Sequence, residues 1–244
     1  MVGSPNDAAL IDSVRAAVSA LIPDSPTRKE DVSALIERSP ILTERTAIDI
    51  AALTRLAEVY PSLRNALPSL IHAAGRSADP ALAIGGLAAF AGARPDAVWN
   101  IEASDPDPIC ALFAGSAYLT EHLTTHPDSY PWLQDAARHQ WQRRMLRDDI
   151  AAEFESAGLA DISELANDWG PLRRWQMRHL LRIGWADLAG WLDIREVTEE
   201  LSALADVTID TVGQACEAIL IERFGKPTQG DGTPARWCVI GLGK

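Results

Sequence analysis

Gly170-Pro-Leu-Arg-Arg-Trp175-Gln-Met-Arg178-His-Leu-Leu-Arg182-Ile-Gly-Trp185-Ala-Asp-Leu188 is the stretch on which the reading of this chain turns. Glycine is a poor interior helix residue and proline sits best in a first turn, so Trp169-Gly170-Pro171 marks a fresh start. The Arg- and Trp-rich run from Leu172 to Leu188 then predicts a helix, on which Arg174, Arg178 and Arg182 fall at i, i+4 and i+8 and share one face. A longer amphipathic helix is predicted from about Ile194 to Phe224. Ile194, Val197, Leu201 and Leu204 open its apolar stripe, and Ala205, Ile209, Val212, Cys216, Leu220 and Phe224 continue it, so the helix is expected to pack on one face throughout. Gly225 suits a left-handed C-terminal cap, with Pro227 just beyond. Lys226 to Pro234, with Gly230 and Gly232, reads as a flexible connector into a short apolar strand, Trp237-Cys238-Val239-Ile240, followed by Gly241-Leu242-Gly243-Lys244.

A strand of four or five apolar residues cannot satisfy its backbone alone, and an isolated hairpin is marginal in water. The strand therefore implies a sheet outside these 244 residues. The expected fold class is all-α, multi-helical, with one C-terminal β-strand that begins a truncated α/β core. Upstream, helical patterns occur at Ala8 to Leu21, about Glu30 to Glu37, Glu44 to Val59, Pro61 to Ala74 and Pro80 to Ala91, separated by Pro- and Asp-bearing turns. Ser104-Asp105-Pro106-Asp107-Pro108 is a loop on turn chemistry and the best internal boundary. A charged amphipathic helix follows at about Gln140 to Ala157, ending at Gly158, with a shorter one after Asp161.

Bulk properties narrow the function. The chain carries 22 Lys and Arg against 34 Asp and Glu, a formal charge of -12, which opposes nucleic acid and anionic membrane as general partners because both demand a basic footprint. Cys110, Cys216 and Cys238 are far apart and odd in number, so neither a disulfide framework nor a zinc knuckle is indicated, and a reducing cytoplasm is the expected compartment. The apolar run Ala81 to Ala93 is shorter than the roughly 20 residues a membrane span needs and reads as a buried core helix.

Leu172-Arg173-Arg174, Arg182-Ile183, Leu201-Ser202-x-Leu204-Ala205-Asp206 and the closing Gly-Leu-Gly-Lys, in that order, resemble the bacterial family that adenylylates and deadenylylates glutamine synthetase, the glutamate-ammonia-ligase adenylyltransferases. Gly115-Ser116, before a helix ending in His126-Pro127, extends the resemblance to about Ala111 through Lys244; residues 1–108 match nothing in it. The resemblance implies a multifunctional enzyme with two nucleotidyltransferase halves. One transfers AMP from ATP to a tyrosine of glutamine synthetase, the other removes it by phosphorolysis, and the PII signal protein and glutamine set the direction. It implies magnesium and ATP or phosphate as cofactors of the complete enzyme, with carboxylates for the metal in a Ser-Asp-x-Asp that follows the Gly-Leu-Gly-Lys. It also implies three regions: 1–108, helical and of unassigned role; 109–225, the helical part of the adenylyl-removing half; and 226–244, a linker and the first strand of an incomplete nucleotidyltransferase core. The expectation is a fragment on the deadenylylating side, inactive alone. The alternative is a non-catalytic helical interaction or scaffold protein.

No catalytic residue is carried over. Gly241, Gly243 and Lys244 are the leading edge of the matching nucleotide-binding motif; a Walker phosphate loop is excluded because its upstream glycine position is Cys238 and no Ser or Thr follows the lysine. The Arg174, Arg178 and Arg182 stripe suits phosphate or an acidic partner surface, against the plainer reading of ion pairs with the chain's own acids. His122 and His126 lack the glutamate of a zinc-protease helix, since position 123 is Leu, so no metal site is assigned. The tryptophans, five of them between Trp141 and Trp191, are expected to pack helices rather than stack bases.

Overall fold

The computed structural model describes residues 44–94 and 106–241, and the helices expected at Ala8 to Leu21 and Glu30 to Glu37 lie outside them. The described residues are all-α. Nine helices run in order: α1 (Glu44–Val59), α2 (Pro61–Arg76), α3 (Pro80–Ala93), α4 (Asp107–Gly115), α5 (Ala117–Thr125), α6 (Tyr130–Ala136), α7 (Arg143–Ser156), α8 (Gly170–Leu188) and α9 (Ile194–Phe224). Short 3-10 turns at Pro127–Ser129 and Ile162–Ala166 join some of them; the second stands where a helix was expected after Asp161. Two compact units emerge, one of residues up to Arg138 with Gly184–Trp191, the other of His139–Ile183 with Leu192 onward.

In the first unit, α1 packs on α2 and α3, while α4 packs across α2 and α3. Pro80 fits the first turn of α3 because its missing N–H would be unpaired there, and the Asp79 carboxylate accepts from the Leu82 N–H at 3.0 Å. The Ala- and Gly-rich α3 is the buried core helix that its composition predicts, with Leu87 and Phe90 fully inside. Phe90 and Phe113 lie 6.1 Å apart, and the buried Trp185 indole donates to the Pro108 carbonyl at 2.7 Å.

The second unit is organised by α9, 31 residues long. Asp193 caps it, its carboxylate accepting from the N–H groups of Arg195 and Glu196 at 2.9 Å, while Glu196 accepts from the Asp193 N–H at 2.8 Å. This reciprocal box satisfies backbone donors that a helix start leaves over. The buried face of α9 is Val197, Glu200, Leu204, Val207, Thr211 and Ala215, covered by α7 and the Ile162–Ala166 turn.

Three expectations are corrected here. The α9 stripe does not pack throughout: Leu201 and Ile209 are half exposed, Cys216 is exposed, and Leu220 and Phe224 are 53% and 72% exposed, because no described helix covers the last turns. Gly225 does have a positive φ of 81°, but its ψ of 171° is extended rather than the left-handed cap. The connector is a tied turn rather than a loose one. Asp231 accepts from Thr233 through both N–H and Oγ1, the Gln229 N–H donates to the Thr233 carbonyl at 2.7 Å, and the Ala235 N–H donates to Pro227.

No β-strand forms among the described residues. An isolated antiparallel bridge joins Thr228 and Pro234, and the C-terminal strand expected at Trp237–Ile240 is not formed among the described residues. Trp237 lies against α9 at Gly213, where an added Cβ would come 2.2 Å from the indole.

Candidate functional site

The arginine stripe of α8 leads to a polar cluster inside the second unit. Arg182 has no exposed side-chain surface, and its Nη2 donates to Glu200 Oε2 at 2.5 Å; Glu200 is equally sealed, and its other oxygen accepts from the Trp141 N–H at 2.5 Å. Arg182 also donates from Nε to His179 Nδ1 at 3.3 Å and from Nη1 to the His139 carbonyl at 3.4 Å, and its guanidinium lies 5.2 Å from the Trp141 ring. One turn earlier, Arg178 reaches Asp149 at 3.0 Å and Glu153 at 3.4 Å. Arg173 and Arg174 are exposed. The structure thus places two of the three stripe residues on carboxylates of their own chain and leaves Arg174 at the surface.

The bonding pattern fixes the state of His179. Arginine can only donate, so His179 Nδ1 accepts, and the proton resides on Nε2, which donates to Asp149 Oδ2 at 2.9 Å. Burial pushes the His179 pKa below its ordinary value; the Asp149 hydrogen bond opposes this, and the charges of Arg182 and Arg178 reinforce it. For Asp149, burial alone would raise the carboxyl. The donors His179, Trp175 (indole N–H at 2.8 Å) and Arg178 converge on one oxygen and hold it below the usual carboxylate range. Burial likewise lowers Arg182, with Glu200 pulling it back. A cluster this closed can fix the placement of α7, α8 and α9, but its inner arginine meets no substrate without breaking the Glu200 pair.

Two concave surfaces of this unit lie along the outer side of α9. A cleft of about 560 Å³ is lined by Gly213, Cys216, Leu220, Phe224, Pro227 and Trp237. A second, of about 930 Å³, runs beside Trp237–Gly241 and is edged by Asp206, Asp210, Glu217 and Arg236. Gly241 lines this second cleft; Gly243 and Lys244 lie outside the described residues. Asp206 pairs with Arg143, and Asp210 with Arg147. Among the described residues no group of three or more His, Cys, Asp or Glu side chains is placed to hold a metal ion. The His122 and His126 rings lie 4.6 Å apart, tilted by 32°, at the end of α5; partial burial and then the neighbouring His126 lower the His122 pKa. Trp175 and Trp185 are buried helix-packing residues, as expected. The Asp149–His179–Glu200 cluster was missed because its members are scattered over three helices. Glu200, an acid spaced three and four residues from Val197 and Leu204 on the buried stripe, is the signal that could have found it.

Ser104-Asp105-Pro106-Asp107 has the letters of the Ser-Asp-x-Asp that the resemblance places after Gly-Leu-Gly-Lys, but it stands before α4 instead; Asp107 begins α4 and pairs with Arg76, while residues 104 and 105 lie outside the described ones. The family model for glutamate-ammonia ligase adenylyltransferase matches residues 107–244, more than half of the sequence. The chain belongs to that family. A bifunctional glutamine synthetase adenylyltransferase/adenylyl-removing enzyme of Pseudomonas aeruginosa is 35% identical over 191 residues, covering 75% of this chain and 18% of the relative. The like-named protein of Streptomyces coelicolor is 31% identical over 185 residues, 72% of this chain and 17% of the relative. That of Bordetella pertussis is 30% identical over 142 residues, 58% and 15%. The chain therefore spans less than a fifth of the length of these adenylyltransferase relatives. Among its described residues, no helix is long and apolar enough to cross a membrane.

Proposed function

We propose that this chain is the helical support on the adenylyl-removing side of a glutamine synthetase adenylyltransferase, acting on glutamine synthetase under control of the PII signal protein, and that it has no activity alone. The observation that carries the reading is the family match over 107–244, which takes in α4 to α9 and the apolar segment that the resemblance makes the first strand of a nucleotidyltransferase core. The resemblance puts the Gly-Gly turn, the Glu-Leu-Asn segment and the metal carboxylates after the Gly-Leu-Gly-Lys. The described residues do not fit magnesium and ATP by themselves. Gly241 sits beside a cleft edged by Arg236, Glu217, Asp206 and Asp210, the last two already paired with Arg143 and Arg147, and among the described residues no group of acids is placed to hold a metal ion. No catalytic step is therefore assigned to them. Gly241, Gly243 and Lys244 border the nucleotide in this reading, and Arg174, with Arg173, is the exposed part of the α8 stripe able to meet an anion or an acidic partner surface.

The test uses adenylylated glutamine synthetase and measures phosphate-dependent AMP release. The 244-residue chain should give none above background. A chimera that continues Lys244 with the region following the matched segment in the Pseudomonas aeruginosa relative should release AMP, without ATP-dependent transfer of AMP. AMP release by the chain alone overturns the inert reading; a chimera that only adenylylates overturns the assignment to the removing side. Arg173→Gln with Arg174→Gln in that chimera should weaken the KM for phosphate or for the adenylylated substrate with an unchanged melt, and unchanged kinetics remove the anion-site idea.

A further inference from the structure

In the first unit α1 and α5 both pack on α3, and between them a trough of about 800 Å³ runs along α3. Small side chains make its floor: Ala81, Gly85, Ala88 and Ala89 of α3, with Phe113 packed against Gly86. A Cβ at Gly85 would meet nothing nearer than Asp49 Oδ2 at 3.5 Å, so the floor is open there. On the α5 wall the hydroxyls of Thr120 and Thr124 donate back to the carbonyls of Ser116 and Glu121 at 2.8 and 2.9 Å, so they ask for no further partner. Leu82 stands half exposed in the lining. Two carboxylates remain, Asp49 on α1 and Glu121 on α5, one to each wall. Among the described residues neither makes an ion pair, and no Lys or Arg lines the trough.

We propose that this trough is a docking site for an amphipathic helix of a partner protein, one that carries Lys or Arg on both sides of a narrow apolar stripe. The shape selects a helix. The floor and both walls are α-helices whose backbone groups bond within themselves. An extended peptide would find no N–H or C=O to pair with there, whereas a helix satisfies its own. A floor of glycine and alanine lets its axis approach to the roughly 8–10 Å of packed helices. Because α3 has 14 residues and so spans about 21 Å, the occupant has about four turns. The charge selects the flanks. With a carboxylate on either wall, bases on both sides of the stripe pair across the trough, while nucleic acid and anionic membrane are repelled. A second copy of this chain is opposed by the net charge of -12, and residues 1–43 hold six acids against four bases, the wrong balance for such a helix. The site needs nothing from the reading of the chain as part of an adenylyl-removing enzyme.

The probe is a fluorescein-labelled helical peptide of about four turns, with Leu and Ala at i, i+3, i+4 and i+7 and Arg at the flanking positions. Its binding to the 244-residue chain is read by anisotropy. A peptide with Glu for Arg, and a scrambled peptide of the same composition, should each bind at least about tenfold more weakly. Gly85→Leu, which fills the trough, and Asp49→Asn with Glu121→Gln, which discharges its walls, should each weaken binding about tenfold with the melt unchanged. If Gly85→Leu does not fold, Ala89→Arg at an exposed floor position takes its place. The proposal is overturned by no saturable binding, by a scrambled peptide that binds as well as the patterned one, or by folded variants that bind it unchanged. Self-association in sedimentation that Gly85→Leu abolishes makes a second copy the occupant. A peptide of residues 6–24 that displaces the probe at equal or lower concentration makes it the chain's own segment. Either result overturns the partner helix, and neither bears on AMP release by the chimera.

Discussion

The two halves of α9 invert the usual rule about what lies inside. Its first half buries a carboxylate, Glu200, between Val197 and Leu204, while its second half holds Leu220 and Phe224 in the open. What decides burial in each case is the surface opposite. Glu200 can be buried because Arg182 and the Trp141 N–H meet both of its oxygens, so the cost of desolvating the charge is offset by charge-assisted hydrogen bonds. Phe224 stays out because no described helix reaches it, and each Å² of apolar surface left wet forgoes about 25 cal/mol. The inner face of the first half is a finished core; the last turns of the second are uncovered among the described residues.

Breaking the finished half should have the largest effect. Glu200→Ala leaves the Arg182 charge and the Trp141 N–H buried without their partner and should cost about 3–5 kcal/mol in urea unfolding. Pairing Glu200→Leu with Arg182→Met should recover most of that, since a well-packed apolar pair often replaces a buried ion pair at little cost. A double variant as unstable as the single would show that the pair does more than satisfy itself. Leu204→Ala, which removes side-chain volume from the same face, should cost about 2–5 kcal/mol.

Acid should act on the cluster that faces the first half. His179 is held neutral with its folded pKa below the ordinary 6.5, so at low pH the unfolded chain binds the extra proton and stability falls. Its contribution is complete above pH 6.5 and is lost as pH drops from there toward the folded pKa; Asp149, also lowered, adds a loss that begins below about pH 3.8. Urea midpoints at pH 7.5 and 5.5 should therefore differ, and His179→Gln, lower in stability at pH 7.5, should narrow the difference. An equal pH dependence in that variant would mean that another group titrates. At Gly213 the two halves meet. Gly213→Ala favours the helix by up to about 1 kcal/mol on intrinsic propensity but puts a methyl group where the Trp237 indole sits. Trp237 emission should shift red, with little change in the melt.

Helix positions were legible because capping and punctuation are local. Asp193 with Glu196, Asp79 with Pro80, and Gly170-Pro171 each announce a helix start by chemistry within four residues. The α9 stripe misled because a hydropathy pattern tells which face is apolar and not whether anything covers it. The arginine stripe hid its role for the same reason: Arg174 and Arg182 look alike at i and i+8, yet one faces solvent and the other meets Glu200 from another helix. The Lys226–Pro234 turn looked loose because its Gly and Pro content was weighed, whereas Asp231, which ties it through Thr233, was not.

The smallest expected effect is the most direct comparison, because it is made with one residue type on one helix. Leu220→Ala should change the stability of the 244-residue chain by no more than about 0.5 kcal/mol, against the much larger cost at Leu204. Leu220 is 53% exposed and Leu204 2%, so truncation removes few contacts at the first and leaves a cavity at the second. Leucine and alanine have similar helix propensities, so the difference between the two variants reports burial and little else. A cost at Leu220 equal to that at Leu204 in the short chain would mean that the outer face of α9 is already covered in solution, and the distinction between a finished and an open half would fall.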